Sequence, residues 1–101
     1  MTLTIEQKEQ IKSQLLETLS TQKEVQKIII FGSFLSSPEP HDIDVAVFQD
    51  STEKYIPLAM KYRNLVRELY QYIPVDVIPI KINASGNFLN EIQAGETIYE
   101  R

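Results

Sequence analysis

The sequence predicts an α+β fold in which a small mixed β-sheet carries helices packed largely on one side. Three observations predict it: helical spacing of apolar residues near the N-terminus, a β-branched run soon after it, and the order helix, strand, strand, helix, strand, helix. A chain of 101 residues is long enough for one small core, so we expect residues 1–101 to form a single domain.

The first predicted helix covers residues 4–20. Thr4 followed three residues later by Gln7 is the pattern of a capping box, in which side-chain and backbone groups bond reciprocally. Apolar residues then recur at helical spacing and give the helix one apolar face. They are Ile11, Leu15, Leu16 and Leu19.

Two strands follow, separated by a loop that contains prolines. The segment 25–31 includes a run of isoleucines that ends in phenylalanine, which is typical of a strand covered on both faces. Gly32 ends this strand. The loop over residues 36–40 has two prolines, which do not fit a regular element. Residues 43–48 are the second predicted strand.

A second helix over residues 54–71 and a third strand over residues 75–78 come next. The helix carries an apolar stripe, and prolines at both ends of the strand favour a short strand near the sheet edge. A last helix is expected over residues 86–94, where Gly95 ends the pattern. Ile98 and Tyr99 are expected to add a contact at the tail.

Composition and charge exclude several classes of protein. The chain has no cysteine, so disulfides and thiolate metal sites are excluded. Its formal net charge of −4 argues against a general binder of nucleic-acid backbones, which would carry a basic patch. No apolar run reaches membrane-spanning length and no signal peptide opens the chain, so we expect a cytoplasmic protein without membrane contact.

Gly32 and Ser33, directly after the first strand, are a candidate phosphate-binding turn. Glycine lets the backbone approach a ligand closely. If a helical turn begins at Ser33, its free N–H groups point at an anion, and the serine hydroxyl adds a donor. Taken alone, the dipeptide is more typical of an ordinary turn.

Asp42 lies directly before the second predicted strand, and Asp44 lies near its start. Side chains alternate along a strand, so both carboxylates lie on one face and the apolar residues between and after them on the other. Two neighbouring carboxylates repel each other unless a cation lies between them. Magnesium prefers such oxygen ligands and keeps waters that a phosphate can replace. Taken alone, the two aspartates are also typical of a strand end that is exposed to solvent.

Asp76 lies inside the short apolar third strand. Burial of an unpaired carboxylate is costly, so the residue needs either solvent at a sheet edge or a cation. If this strand neighbours the second one, Asp76 can point to the same face as Asp42 and Asp44. Three carboxylates would then meet, and about two divalent ions, the pair used for in-line displacement at phosphorus, would stabilise them.

Together these features resemble the DNA polymerase β-like nucleotidyltransferase superfamily. The closest similarity is to the minimal nucleotidyltransferases, many of which pair with HEPN proteins in toxin–antitoxin systems. The residues that carry it are Gly32-Ser33, Asp42-Ile43-Asp44 and Asp76. The resemblance extends from about residue 25 to the C-terminus, and it implies the polymerase β-like nucleotidyltransferase fold.

The resemblance also implies a mechanism. Gly32 and Ser33 would hold the β- and γ-phosphates of ATP or another nucleoside triphosphate. Asp42 and Asp44 would bind two magnesium ions, and Asp76 would complete the metal site and act as base on the acceptor hydroxyl. The acceptor attacks the α-phosphate and pyrophosphate leaves. In the HEPN-paired members, the implied acceptor is a tyrosine of the toxin, which AMP transfer silences.

The loop after Ser33 departs from the family pattern. It is shorter than usual, and Phe34 and Leu35 stand where an arginine and a glycine are common. No lysine or arginine occurs between Lys27 and Lys54. Metal ions and backbone amides would therefore neutralise most of the triphosphate charge. The second helix offers further candidates to assist. They are Lys61, Arg63 and Arg67.

Three functions remain open from the sequence. The leading one is AMP transfer from ATP to a partner protein, plausible for an antitoxin of a HEPN toxin. The second is a binding module that has lost catalysis and neutralises its partner by contact, which the short proline-containing loop and its lack of basic residues favour. The third is transfer to a small-molecule hydroxyl, which the lack of a second domain disfavours. Homo-oligomerisation is left open.

Overall fold

The computed structural model of the protein describes residues 2–101. Within this range the elements alternate between helices and strands in an α+β order. They are α1 (Ile5–Leu19), β1 (Val25–Phe31), α2 (Ser33–Ser36), β2 (Ile43–Gln49), α3 (Tyr55–Leu65), a 3-10 helix (Arg67–Gln71), β3 (Val75–Lys81), α4 (Phe88–Gln93) and β4 (Glu96–Glu100).

The strands form one mixed sheet in the order β3-β2-β1-β4. β1 pairs antiparallel with both β2 and β4, whereas β2 and β3 are parallel. The parallel pair needs a crossover connection, which α3 and the 3-10 helix supply. The mixed sheet predicted from the sequence is therefore confirmed.

The larger core lies between one face of the sheet and α1 and α3. Ile28 and Ile30 of β1 belong to it, together with Leu15 and Tyr62 from the two helices. Ile29 points to the opposite face, where a smaller core includes Ile92 of α4. The isoleucine run of β1 is thus buried on both faces of the sheet, as predicted. The helices α1 and α3 pack on the same face, and α4 packs on the other.

α1 begins at the predicted capping box. The backbone N–H of Gln7 donates to Thr4 Oγ1 at 3.0 Å, and the Thr4 N–H donates to Gln7 Oε1 at 2.9 Å. None of the helices in residues 2–101 is long and apolar enough to cross a membrane.

β4 is an element that the sequence did not predict. Ile98 and Tyr99 were expected only as a tail contact, but Glu96–Glu100 pairs with β1 along the sheet edge. The strand is short, begins and ends with glutamate, and buries no residue fully. Its apolar pattern is therefore too weak to identify it, and its existence depends on pairing with β1.

β3 is longer than predicted. It continues through Pro79 to Lys81, and Pro79 lies opposite Val47 of β2. Because β3 is an edge strand, part of its backbone has no partner strand, and a missing N–H group is tolerated there. The predicted edge position is confirmed, and the prediction that the strand stops before Pro79 is wrong.

Candidate functional site

The candidate site lies where β1 ends and where β2 and β3 begin. Phe31, the last residue of β1, is paired with Asp44 of β2. Asp44 is paired in turn with Asp76 of the parallel strand β3. Gly32 follows Phe31 directly, so the sheet register brings the turn and the aspartates to one edge.

Strand alternation places the three carboxylates on one face. Ile43 and Val45 of β2 point into the larger core, so Asp42 and Asp44 point to the opposite face. In β3, Val75 and Val77 also belong to the larger core, which directs Asp76 to the face of the other two aspartates. The juxtaposition expected from the sequence is present.

Ligand oxygens of Asp42, Asp44 and Asp76 lie within 4.8 Å of one another. Asp42 and Asp44 are half-buried and Asp76 is exposed. No ion pair formed among residues 2–101 includes any of them. The cluster is therefore a concentration of negative charge without a protein cation beside it.

The pKa of the Asp44 carboxyl is raised above its ordinary value. Burial is the main cause, and the neighbouring charges of Asp42 and Asp76 add to it. Both effects disfavour the ionised form. A bound cation would reverse both, because it would replace the lost hydration and screen the two neighbours.

Gly32 contacts the central aspartate of the cluster. Its φ of 82° lies in the left-handed region that favours glycine. A Cβ atom at this position would lie 2.6 Å from Asp44 Oδ2, which is closer than real contacts allow. Glycine is therefore required both by the backbone conformation and by the close approach to Asp44. The contact with Asp44 could not be foreseen from sequence spacing.

Ser33 is exposed and begins α2, which is one helical turn long. The short helix agrees with the expectation from the prolines at positions 38 and 40. Its first backbone N–H groups have no partner within the helix. Whether Gly32 and Ser33 hold phosphates stays a prediction, as do the roles of the three aspartates.

The oxygen atoms of the cluster fit magnesium. Mg²⁺ takes hard oxygen ligands at about 2.0–2.1 Å, so two ligands on opposite sides of one ion lie about 4 Å apart. Carboxylate oxygens within 4.8 Å of one another are close to that spacing. A pair of ions about 3.5–4 Å apart would also span the cluster.

The basic residues of the second predicted helix, which were candidates to assist a triphosphate, do not lie beside the three carboxylates. Lys61 Nζ pairs with Glu24 Oε2 at 2.9 Å, just before β1 begins and thus at the opposite end of this strand. Arg63 and Arg67 belong to the helical layer on the sheet's other face, and Arg67 donates to Asn64. The suggestion that Lys61 helps at the site is wrong.

Lys8 of α1 lies beside the loop instead. Its Nζ donates to the carbonyl oxygens of Phe34 and Ser37, at 2.7 Å each. Lys8 was not expected from the sequence, because the cations considered there were those of the second predicted helix. One signal was available: Lys8 continues the helical spacing of Ile11 and Leu15, so it interrupts an apolar stripe.

Neither His41 nor Tyr62 adds a group to the carboxylate cluster. His41 is an exposed loop residue. Tyr62 is fully buried, and its hydroxyl donates to Glu24 Oε2 at 2.9 Å. A cavity of about 640 Å³ lies between α1 and the segment 71–72, and none of the three aspartates lines it.

Two solved structures have a similar fold. A chain from the crystal structure of the toxin–antitoxin MntA-HepT gives a TM-score of 0.68 at 17% identity, covering 92% of this chain and 73% of that chain. A chain from the complex of tri-AMPylated Shewanella oneidensis HEPN toxin with MNT antitoxin gives a TM-score of 0.64 at 15% identity, covering 93% and 73%. At these identities the likeness shows the fold alone.

No curated protein matches the sequence significantly. A family model, described as polymerase beta, nucleotidyltransferase, matches residues 13–101. The match spans most of the chain and includes Gly32, Ser33 and the three aspartates, in agreement with the resemblance inferred from the sequence. The chain belongs to the polymerase β nucleotidyltransferase family.

Proposed function

We propose that this protein is a magnesium-dependent nucleotidyltransferase that transfers AMP from ATP to a hydroxyl of a partner protein. The partner we propose is a toxin of the HEPN class, to which this chain acts as antitoxin. The observation that carries the proposal is the cluster of three carboxylates, which lies against Gly32 and has no protein cation among residues 2–101.

The proposed role of each residue is the one that the family resemblance implies. Asp42 and Asp44 would hold the magnesium ions, since they are half-buried and one carboxylate oxygen of each lies within 4.8 Å of the other. Gly32 and Ser33 would bind the β- and γ-phosphates through backbone N–H groups and the Ser33 hydroxyl. Magnesium, when bound, would supply positive charge that neutralises the phosphates.

Asp76 is suited to act as base because it is the exposed member of the cluster and can meet an acceptor from outside. It takes the proton of the acceptor hydroxyl, whose oxygen forms a bond to the α-phosphorus. The bond from the α-phosphorus to the bridging oxygen breaks, and pyrophosphate leaves with that oxygen. The products are an AMP ester on the partner and pyrophosphate, and the proton passes to solvent.

A protein acceptor is supported by the open position of the cluster and by the similar structures. The aspartates do not line the 640 Å³ cavity beside α1, and Asp76 is exposed, so the cluster can be approached by a protein surface. The two similar structures are described as complexes of a toxin with its antitoxin, one of them with a tri-AMPylated HEPN toxin. We extend those descriptions to this chain when we propose that it transfers AMP to a HEPN toxin.

The test is transfer of label from ATP. The purified protein is incubated with α-labelled ATP, Mg²⁺ and the protein encoded by the neighbouring gene, and the products are separated by gel. We expect label on a hydroxyl side chain of the partner, dependent on Mg²⁺ and absent with Asp44→Asn. No label on a folded partner, with a folded wild-type protein, would refute the transferase.

A second candidate is a binding module without catalysis. It is favoured by one observation: residues 34–41 contain no lysine or arginine to neutralise a triphosphate. In cells that express the partner toxin, Asp44→Asn separates the two functions. A binding module with this substitution still protects the cells, whereas a transferase does not.

A further inference from the structure

The loop between β1 and β2 is supported by another element. α2 is one turn long, has no basic residue in its last turn, and ends at Ser37 without a glycine cap. The last carbonyl groups of such a helix have no partners within it. Since residues 34–41 contain no lysine or arginine, a charged donor for these carbonyls must come from elsewhere in the chain.

Lys8 of α1 is that donor. Its ammonium group binds the carbonyls of Phe34 and Ser37 at 2.7 Å each, and it lies 5.2 Å from the centre of the Phe34 ring. Hydrogen bonds from a charged donor are stronger than those between neutral groups. Because Phe34 is fully buried, Lys8 joins α1 to a loop residue that is itself fixed in the core.

Two further bonds tie the N-terminal segment to the same loop. The Leu3 N–H donates to the Pro38 carbonyl at 3.1 Å, and Thr2 Oγ1 donates to Glu39 Oε1 at 2.9 Å. We call Thr2, Leu3 and Lys8 the brace. All three precede residue 13, where the family match begins, so the brace comes from outside the matched region.

The contacts of the loop run from Lys8 to the aspartates. The Ser37 N–H donates to the Ser33 carbonyl at 2.8 Å, so Ser37 and Ser33 move together. Ser33 follows Gly32, whose α-carbon lies against the Asp44 carboxylate. A change at Lys8 therefore reaches Ser33 through one hydrogen-bonded turn.

We propose that Lys8 is a positioning residue for nucleotide binding, which fixes α2 so that Ser33 is held in place beside the carboxylate cluster. This role rests on the proposed function. Lys8 contacts neither the carboxylates nor the reacting atoms. Its loss lowers the affinity for the nucleotide, and it leaves the binding of Mg²⁺ alone unchanged, because Asp44 and Asp76 are held by the pairing of β2 with β3.

The test compares Lys8→Met with Lys8→Arg and with Lys23→Met. Lys23 is exposed and forms no ion pair within residues 2–101, so its replacement removes the same charge without touching the loop. Binding of Mg·ATP is measured by titration calorimetry. We expect Lys8→Met to bind roughly ten- to hundredfold more weakly, Lys23→Met to bind like the wild type, and Lys8→Arg to recover most of the affinity.

Two further measurements separate positioning from general stability. In the transfer assay, KM for ATP rises in Lys8→Met while kcat changes little, and Lys8→Arg restores KM. Amide hydrogen exchange at residues 34–37 becomes faster in Lys8→Met, whereas exchange in β2 does not. If Lys8→Met does not fold, Lys8→Gln is used, since it keeps a polar side chain and removes the charge.

The outcomes distinguish the two proposals. Wild-type protein that binds Mg·ATP, together with Lys8→Met or Lys8→Gln of equal affinity, overturns the positioning role and leaves the proposed function in place. Wild-type protein that does not bind Mg·ATP overturns both. A loss of affinity that Lys23→Met shares also overturns the positioning role, because net charge would then explain it.

Discussion

Acidic side chains lie near both ends of β1, but within residues 2–101 only those at one end are paired with a cation of the protein. Just before the strand, Glu24 accepts hydrogen bonds from Lys61 Nζ and the Tyr62 hydroxyl, at 2.9 Å each. Just after it, Gly32 lies against Asp44, whose only charged neighbours within the cluster are two further carboxylates. One end has its charge paired by the protein, and the other presents its charge without a partner.

The pKa directions express the same contrast. Burial alone would raise the pKa of Glu24, but hydrogen bonds from Lys61, from its own backbone N–H and from Tyr62 hold the pKa below its ordinary value. Burial and like charges raise the pKa of Asp44. The Glu24 end therefore stabilises the fold, whereas the Asp44 end costs folding free energy that a ligand can recover.

Replacing Asp44, the central carboxylate of the cluster, is expected to have the largest effect. That effect is the loss of the proposed transfer activity. Asp44→Asn removes a proposed magnesium ligand with little change in shape, so we expect transfer of label from ATP to the partner to fall below detection. The measurement is the transfer assay at saturating Mg²⁺. Glu17→Gln, on the exposed face of α1, is the control and retains full transfer. Undiminished transfer by Asp44→Asn would contradict the assignment.

Gly32→Ala disturbs the backbone of the same end. We expect a loss of about 1–3 kcal/mol in the free energy of unfolding, because alanine is strained at this φ and its Cβ collides with Asp44. Urea unfolding measures it. Gly86→Ala is the matched control, since Gly86 also has a positive φ but a Cβ there meets nothing within 4 Å. Equal losses in the two variants would show that the Asp44 contact is irrelevant.

Glu24→Gln breaks the other end. It removes the charged partner of Lys61 and Tyr62, and we expect a loss of about 1–2 kcal/mol near neutral pH. Transfer activity stays at the wild-type level, because this end does not touch the cluster. A matching loss of stability in Glu17→Gln, or a loss of transfer in Glu24→Gln, would remove the distinction between the ends.

The pH dependence sharpens this prediction. A carboxyl with a lowered pKa stabilises the fold above its unfolded pKa, near 4.5, and loses that contribution as the pH falls through the folded value. The difference in stability between wild type and Glu24→Gln should therefore be full at neutral pH and shrink as the pH falls below the unfolded value of 4.5. Urea unfolding at several pH values measures the difference, and one that grows on acidification would contradict it.

The smallest expected effect is an increase in the free energy of unfolding when Asp44 is replaced. Without metal, Asp44→Asn removes the repulsion from Asp42 and Asp76 and the cost of burying the charge. We expect the free energy of unfolding to rise by about 1 kcal/mol at neutral pH, in the presence of a chelator. A loss of stability in Asp44→Asn under these conditions would mean that the protein itself already compensates the charge.

Much of the fold was predictable because its signals are local. The capping box of Thr4 and Gln7, the isoleucine run of β1 and the prolines around β3 each act within a few residues. β4 was not predictable in this way, since its five residues bury little and depend on pairing with β1. The passage of β3 through Pro79 likewise depends on the edge position, which is a property of the whole sheet.

The candidate site likewise has a part that the sequence predicted and a part that depends on tertiary packing. Asp42 and Asp44 share a face by strand alternation alone, and the parallel pairing of β2 and β3 then brings Asp76 beside them. The contacts of Lys8 and Lys61 could not be read from spacing, because each lysine binds a residue more than twenty positions away. Sequence spacing therefore found the carboxylates, and tertiary packing decided which cations lie near them.

The most direct test of the unpaired cluster is thermal unfolding in the presence of increasing Mg²⁺. If the three aspartates form a metal site, Mg²⁺ raises the Tm of the wild type in a concentration-dependent manner, because it binds the folded state alone. The rise is lost in Asp44→Asn and kept in Glu24→Gln. A wild-type Tm that does not respond to Mg²⁺, or an equal rise in Asp44→Asn, would contradict the account.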